Sequence, residues 1–165
     1  NGGSIKGNCV AGKKALPIYC IQTDEKKISI SFDAAWGADD TIKLLDTLYG
    51  RYKLYIVSNS GAYVQTGRMA DCGIVKYFED IFISEDAGAE KPSREFFDYC
   101  FGRRPEIKAD ETVIIGDSLT SDIQGGINAG IRTIWFNPDG QQAADIHPDY
   151  EVKKLMDIPA LLEEL

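Results

Sequence analysis

The feature that most constrains the fold of this chain is a regular alternation of short apolar runs and longer amphipathic stretches, which begins near Tyr52. Apolar, β-branched runs of this kind predict strands that are buried on both faces, and the stretches between them predict helices. Strands that alternate with helices form a parallel sheet with helices on both sides. We therefore expect an α/β fold, a three-layer, doubly wound parallel sheet.

The predicted elements can be placed along the chain from this alternation. Strands are expected at residues 53–57, 78–84, 112–115 and 132–136, and helices at residues 62–72, 93–101 and 158–165. Pro92 opens the second of these helices at a favoured first-turn position. The loop of residues 137–150 receives no functional interpretation.

A turn and a further helix follow the strand predicted at residues 112–115. Thr120 or Ser121 is the candidate cap of this helix, because a hydroxyl can accept a bond from an amide of the first turn. Three glycines would let the helix pack closely on the sheet. They are Gly125, Gly126 and Gly130.

The residues before the alternation predict an arm that leads into the domain. Residues 1–26 form the amino-terminal arm, which we expect to be loosely held, and residues 27–165 form a single domain. Within the arm, residues 15–23 predict a short strand at a sheet edge, because Pro17 lacks the N–H that a central strand needs.

The first strand–helix unit of the domain covers residues 27–50. Residues 27–32 alternate apolar and polar side chains and predict a strand that ends at Asp33. The helix after it begins at Asp39 or Asp40 and ends at a glycine, Gly50. Its apolar residues are Ile42, Leu45 and Leu48.

Polar side chains of a kind suited to phosphoryl transfer follow four segments of the predicted sheet. They are Asp33, Ser58 with Asn59, Lys91, and Asp117 with Asp122. Ligands of such sheets bind outside the carboxyl ends of the strands, so these side chains are expected to converge. A carboxylate nucleophile, a hydroxyl and an amide for the phosphoryl oxygens, and a lysine would position and stabilise the transferring group. Taken singly, each residue also fits an ordinary role in a turn, a cap or a solvated surface.

Asp117 and Asp122 also suggest a cation. Mg²⁺ takes few protein oxygens and keeps several waters, so one direct carboxylate and a second that orients the waters would suffice. The same spacing also fits an ordinary strand, turn and capped helix.

Composition limits the partners. The chain has a formal net charge of −8, which argues against nucleic acid, since affinity for phosphate backbones depends on clustered Lys and Arg. No apolar run approaches the length of a membrane span. Four widely spaced cysteines predict free thiols in a reducing compartment, with a Cys9–Cys20 bridge as the alternative. The oligomeric state is not predicted.

Three motifs in residues 52–165 resemble the second half of a haloacid dehalogenase (HAD)-superfamily hydrolase. They are YIVSNS, EKPSREFF and IIGDSLTSDIQGG, in the order and spacing of that family. GDSLTSDIQGGINAG followed by WFNP is similar to the pyrimidine 5′-nucleotidases of the superfamily. The resemblance implies a HAD-like Rossmannoid core in the cytoplasm that acts on a small phosphorylated molecule. It also implies that Ser58 binds the transferring phosphoryl group, that Lys91 is a catalytic residue that stabilises this group and the nucleophile, and that Asp117 and Asp122 hold Mg²⁺.

The first motif of that family departs from its usual DxDxT pattern. The matching residues are Asp33-Ala34-Ala35-Trp36-Gly37, which make Asp33 the implied nucleophile and metal ligand but replace the second acid by Ala35. General acid–base assistance is typically worth about 10²–10⁴-fold in rate. The segment that usually follows this motif as a cap domain is also missing, because the next predicted strand begins at Lys53.

Residues 16–48 carry a second resemblance, to the start of a polysaccharide deacetylase domain of the exported kind. FDAAWG is the matching motif, and it would make Asp33 a catalytic base. The later histidine motif is absent, and the one histidine is His147. The two resemblances together suggest a chimera joined near Leu48, without deacetylase activity.

The function predicted from the sequence is Mg²⁺-dependent hydrolysis of phosphomonoesters, with nucleoside monophosphates as candidate substrates. The first alternative is a catalytically impaired domain that binds Mg²⁺ and phosphate, and the second is a polysaccharide deacetylase. Ca²⁺ storage and a receiver-type phosphoacceptor rank below these, because SNS and GDSLTSD fit the hydrolase better.

Overall fold

The computed structural model describes residues 18–21, 29–30, 38–59 and 73–165. In these residues seven strands form one sheet. The strands are β1 Ile18–Ile21, β2 Ser29–Ile30, β3 Lys53–Ser58, β4 Phe78–Ile83, β5 Val113–Gly116, β6 Arg132–Phe136 and β7 Tyr150–Val152. The α-helices are α1 Ala38–Leu48, α2 Ser84–Ala87, α3 Arg94–Arg103, α4 Gln124–Ala129 and α5 Ile158–Glu164. In this part of the chain no helix is both long and apolar enough to cross a membrane.

The sheet is mainly parallel. Its strand order is β4-β3-β1-β5-β6-β7, and β2 also pairs with β5. The pairs β3–β4, β5–β6, β6–β7 and β2–β5 are all parallel. The prediction of an α/β fold with a parallel sheet is therefore confirmed.

The prediction of an edge strand at residues 15–23 is wrong. β1 lies between β3 and β5 and is antiparallel to both. It begins at Ile18, one residue after the proline on which the edge prediction depended, so its ladder includes no proline. Its sequence, IYCI, is apolar throughout, which is typical of an interior strand.

Two hydrophobic clusters cover the two faces of the sheet. Alternate residues of β3 point to opposite faces, so Leu54 and Ile56 belong to one cluster and Tyr55 and Val57 to the other. The first cluster includes buried residues of α1 and α5, and the second includes buried residues of α3. Helices thus lie on both sides of the sheet, as a three-layer fold requires.

The apolar face of α1 is rotated relative to the prediction. Leu45 and Leu48 are buried as expected, but Ile42 is 39% exposed, and Leu44 is buried instead. The helix is followed by Gly50 with φ of +77°, a conformation that favours glycine at this position.

The cap of the helix after β5 is Ser118, and neither Thr120 nor Ser121. Ser118 Oγ accepts a hydrogen bond from the Ser121 amide at 3.3 Å, and a π-helical turn, Leu119–Ile123, leads into α4. Ser118 is the first hydroxyl residue after β5, and the π-helical turn begins directly after it.

Two of the three glycines of this helix allow close packing, as predicted. A Cβ at Gly125 would lie 2.9 Å from the Phe97 ring, and one at Gly126 would lie 2.8 Å from Thr133 Cγ2 and closer still to Ile114. The prediction for Gly130 is wrong, because a Cβ there would meet no atom within 4 Å. Gly130 instead ends α4 with φ of +73°.

Two further expectations need correction, and one lies outside the described residues. Ser93 caps α3, accepting a bond from the Phe96 amide, so Pro92 precedes the helix.

The loop predicted at residues 137–150 ends one residue early, since β7 begins at Tyr150. The helix predicted at residues 62–72 is not among the described residues.

Side chains bond the backbone of β4, the strand at one end of the sheet. The Ile81 amide donates to Asp80 Oδ1 at 2.8 Å, and Arg104 donates to the Glu79 carbonyl at 2.9 Å. Arg104 also bonds Asp80 Oδ2 at 2.9 Å. The carboxylate and the guanidinium thus hold each other beside the strand.

The glycine contacts predict opposite effects for two alanine substitutions. Gly126→Ala should lower the free energy of unfolding by about 1–3 kcal/mol, because its methyl group overlaps Ile114 and Thr133. A methyl group at Gly102 in α3 would meet no atom within 4 Å. Gly102→Ala should therefore raise the free energy of unfolding by up to about 1 kcal/mol. Urea unfolding measures both, and equal effects of the two substitutions would contradict the packing argument.

Candidate active site

Lys91 is at the centre of the candidate site. It lies in the loop between α2 and α3, and the residue is only 2% exposed. Its Nζ is 2.5 Å from Asp122 Oδ1 and donates to the Val57 carbonyl at 3.2 Å. Burial lowers the pKa of Lys91, while the carboxylates of Asp122 and Asp117 oppose that shift. The ammonium is thus held in the interior by one strand end and one buried acid.

Asp122 is equally buried and uses both carboxylate oxygens within the protein. Oδ1 is paired with Lys91, and Oδ2 accepts from the Ser118 amide at 3.2 Å. Gly116 makes room for this side chain, because a Cβ there would lie 2.6 Å from Asp122 Oδ2. Glycine is therefore needed at the end of β5, because any side chain there would overlap Asp122.

Asp117 follows β5 directly and is partly exposed. Its backbone carbonyl accepts a hydrogen bond from the indole N–H of Trp135 at 2.9 Å. Trp135 belongs to β6 and is 1% exposed. Sequence reasoning noted this tryptophan only as part of the WFNP motif and did not connect it with Asp117.

Ser58 and Asn59 lie at the end of β3, on the side of the site opposite β5. Ser58 is fully buried and is the last residue of the strand. The Asn59 amide forms two hydrogen bonds with the backbone of Lys91. Oδ1 accepts from the Lys91 N–H at 2.8 Å, and Nδ2 donates to the Lys91 carbonyl at 2.8 Å.

The carboxylates of the described segments do not by themselves complete a metal site. Among those residues no group of three His, Cys, Asp or Glu side chains is arranged to hold a metal ion. Asp117 and Asp122 come from the same turn, but Asp122 is paired with Lys91. Asp33 is the third predicted metal ligand and, with Lys91, one of the two predicted catalytic residues, and it lies outside the described residues.

The loop after β6 is organised by two buried side chains that sequence analysis missed. Asn137 bonds the backbone of Gln141 and the carboxylate of Glu151. Thr133 exchanges hydrogen bonds with Asp149 at 2.8–2.9 Å. The end of the loop is thus bonded to β6 through Thr133, and its start is bonded to β7 through Asn137. The histidine of this loop, His147, is exposed.

Comparison with known protein families gives a match that covers most of the chain. The model for haloacid dehalogenase-like hydrolases matches residues 18–136. That range includes most of residues 16–48, and these comparisons give no support to a deacetylase origin for them.

Several curated proteins are similar to this chain over most of its length. HAD-hydrolase YfnB of Bacillus subtilis is 44% identical over 125 residues, which are 75% of this chain and 53% of that protein. Pyrimidine 5′-nucleotidase PynA of Streptococcus pneumoniae is 42% identical over 130 residues, 78% of this chain and 54% of that protein. N-acylneuraminate-9-phosphatase of Mus musculus is 32% identical, covering 78% of this chain and 52% of that protein. The chain therefore spans about half the length of these relatives.

Solved structures of HAD proteins are also similar to this chain. A crystal structure of YfnB bound to magnesium has a TM-score of 0.72 and covers 75% of this chain and 55% of that one. A HAD phosphatase from Thermococcus onnurineus is 32% identical with a TM-score of 0.67, covering 75% of this chain and 57% of that one. With its motifs in order and its strand ends arranged around Lys91, the chain belongs to the haloacid dehalogenase-like hydrolases.

Proposed function

We propose that this chain carries the core of a Mg²⁺-dependent phosphomonoester hydrolase whose substrates are nucleoside monophosphates. The observation that carries the proposal is the buried ammonium of Lys91, held by Val57 and Asp122 at the carboxyl ends of β3 and β5. A buried cation at this edge of the sheet is suited to stabilising a transferring phosphoryl group. Two relatives are named as pyrimidine 5′-nucleotidases, which supports the substrate class.

Asp33 is the proposed nucleophile. β2 pairs with β5 in parallel, with Ile30 opposite Ile115. Asp33 follows Ile30 by three residues and Asp117 follows Ile115 by two. Parallel strands that are in register deliver such residues to the same edge of a sheet, so the pairing supports a shared site for the two carboxylates.

Ser58 and Lys91 are the proposed phosphoryl ligands. The ammonium has three N–H donors, of which one bonds Val57 and one bonds Asp122. We assign the third to the phosphoryl oxygens, together with the hydroxyl of Ser58 at the end of β3. Since β3 and the loop of Lys91 are connected by hydrogen bonds, these donors would be in place before substrate binds.

Asp117 and Asp33 are the proposed direct ligands of Mg²⁺. Asp122 would act on the ion only through water, because its two oxygens bond Lys91 and Ser118. Mg²⁺, when bound, neutralises charge on the phosphoryl group. The magnesium in the YfnB crystal structure, 44% identical to this chain, supports this choice of cation.

A second candidate function is binding of Mg²⁺ and phosphate without turnover. One observation favours it, namely Ala35 at the position where the first motif of the family carries an acid. Without that acid, protonation of the leaving group depends on water, at a cost of about 10²–10⁴-fold in rate.

We place this activity in the cytoplasm. Cys100 is a free thiol that lies in the core, and burial raises its pKa, so it is poorly reactive. A free thiol agrees with a reducing compartment. The net charge of −8 supports a small phosphorylated molecule rather than nucleic acid as the partner.

The primary test is phosphate release from pyrimidine nucleoside monophosphates and an aryl phosphate, with and without Mg²⁺. Asp33→Asn and Asp117→Asn should each lower kcat/KM by at least about a hundredfold, since one removes the nucleophile and the other a metal ligand. Asp145→Asn, an exposed aspartate in the loop after β6, is the matched control and should keep full activity.

Mg²⁺ binding can be measured independently of turnover through Trp135. Because its indole bonds the Asp117 carbonyl, its emission should change on Mg²⁺ titration of a Trp36→Phe protein. If Asp117→Asn abolishes this change in emission and no substrate releases phosphate, the result would favour the second candidate function, binding without turnover. Release that persists in Asp33→Asn would refute the proposed nucleophile.

The Lys91–Asp122 pair should be strongly coupled in stability. Lys91→Met leaves a buried carboxylate without its cation and should lower the free energy of unfolding by about 3–5 kcal/mol. Lys91→Met/Asp122→Asn removes both charges and should cost less than Lys91→Met alone. Urea unfolding of both single variants and the double variant gives the coupling.

The exposed pair of Lys43 and Asp40, whose side chains are 63% and 58% exposed, is the control for this cycle. Lys43→Met and Asp40→Asn should each change the free energy of unfolding by less than about 1 kcal/mol. Additive effects of the Lys91 and Asp122 substitutions would show that the buried pair is not a coupled unit.

A further inference from the structure

We propose that Asn59 is a positioning residue, whose side-chain amide fixes the backbone of Lys91 and thereby the place of its ammonium. The inference rests on the proposed function, because it concerns the residue that binds the phosphoryl group there. It gives Asn59 a different role from direct phosphate binding, which its place after Ser58 in the SNS motif would otherwise suggest.

The geometry is a reciprocal pair of hydrogen bonds between one side chain and one residue. Oδ1 of Asn59 accepts from the Lys91 N–H, Nδ2 donates to the Lys91 carbonyl, and both distances are 2.8 Å. An asparagine amide is the one common side-chain group of this length that offers an acceptor and a donor side by side. A carboxylate offers acceptors only, and an aliphatic side chain offers neither.

The same strand end also holds the other end of Lys91. The Val57 carbonyl accepts from Lys91 Nζ at 3.2 Å, two residues before Asn59. The end of β3 therefore contacts Lys91 at its backbone and at its ammonium, although the residues are 32 to 34 positions apart in the chain. A long, flexible side chain fixed at both ends keeps its charge at one place.

Direct phosphate binding by the Asn59 side chain is the competing role. Its single oxygen and one N–H of Nδ2 already bond Lys91, so at most one N–H would remain for a phosphoryl oxygen. The two roles differ in a measurable way. A positioning residue acts through Lys91 and loses its effect when the ammonium is absent, whereas a phosphate ligand keeps its effect.

Asn128 in α4 provides a matched control, because it bonds the same loop. Its Nδ2 donates to the carbonyl of Pro92, the residue after Lys91, at 2.9 Å. It contacts neither the N–H nor the carbonyl of Lys91 through any bond among the described residues. Asn128→Ala thus removes a hydrogen bond between an asparagine and this loop but leaves both backbone bonds of Lys91 in place.

The first experiment measures amide hydrogen exchange at Lys91 by NMR and needs no turnover. Asn59→Ala should speed exchange of the Lys91 amide by about five- to tenfold, the factor expected for one lost hydrogen bond. Asn59→Asp keeps an acceptor and should change it by less than about twofold. Asn128→Ala should leave the Lys91 amide unchanged.

The second experiment measures the affinity for inorganic phosphate by calorimetry in the presence of Mg²⁺. Asn59→Ala should weaken phosphate binding by about three- to tenfold. In a Lys91→Met/Asp122→Asn protein, which has no buried charge left unpaired, the same substitution should change affinity by less than about twofold. Asn128→Ala should have no effect in either background.

The outcomes separate this inference from the proposed function. An equal loss of phosphate affinity in both backgrounds would overturn positioning in favour of direct binding. If the unsubstituted protein binds no phosphate, the proposed function fails, and the exchange rates alone decide whether Asn59 fixes Lys91. Unchanged exchange at Lys91 in Asn59→Ala would then overturn the inference, and faster exchange there would support it.

Discussion

The buried ion pair between Lys91 and Asp122 is the interaction on which the candidate site depends. It joins a loop and a turn that are 31 residues apart and places both charges beside the end of β3. Two opposite charges can be buried only when hydrogen bonds satisfy their remaining polar atoms. The Val57 carbonyl and the Ser118 amide provide such bonds, so the surrounding backbone is arranged by the need to accommodate the pair.

Those parts of the fold that depend on local patterns were predictable from the sequence. The strands β3, β4, β5 and β6 begin and end within one residue of their expected places. Both faces of the sheet are covered, and this is why the interior strand β5, VIIG, is buried throughout. For the site, the rule that ligands bind at the carboxyl ends of parallel strands predicted that Lys91 and Asp122 would be neighbours, even though each is unremarkable alone.

Features that depend on distant partners were not predictable. The sequence of β1 shows a strand but contains nothing that specifies an antiparallel place between β3 and β5. β7 has only one buried residue, so it shows no apolar run. Likewise, the bonds of Asn59 to Lys91 and of Trp135 to Asp117 join residues 32 and 18 positions apart, and no local spacing indicates them.

The hydrogen bonds at β4 have a consequence for association between molecules. An edge strand normally offers its backbone N–H and C=O groups to any extended segment that approaches it, and this is how sheets join into larger assemblies. Here the amide of Ile81 and the carbonyl of Glu79 are already bonded to the side chains of Asp80 and Arg104. A strand from another molecule would have to displace a charged pair to extend the sheet, so this part of β4 resists intermolecular β-pairing.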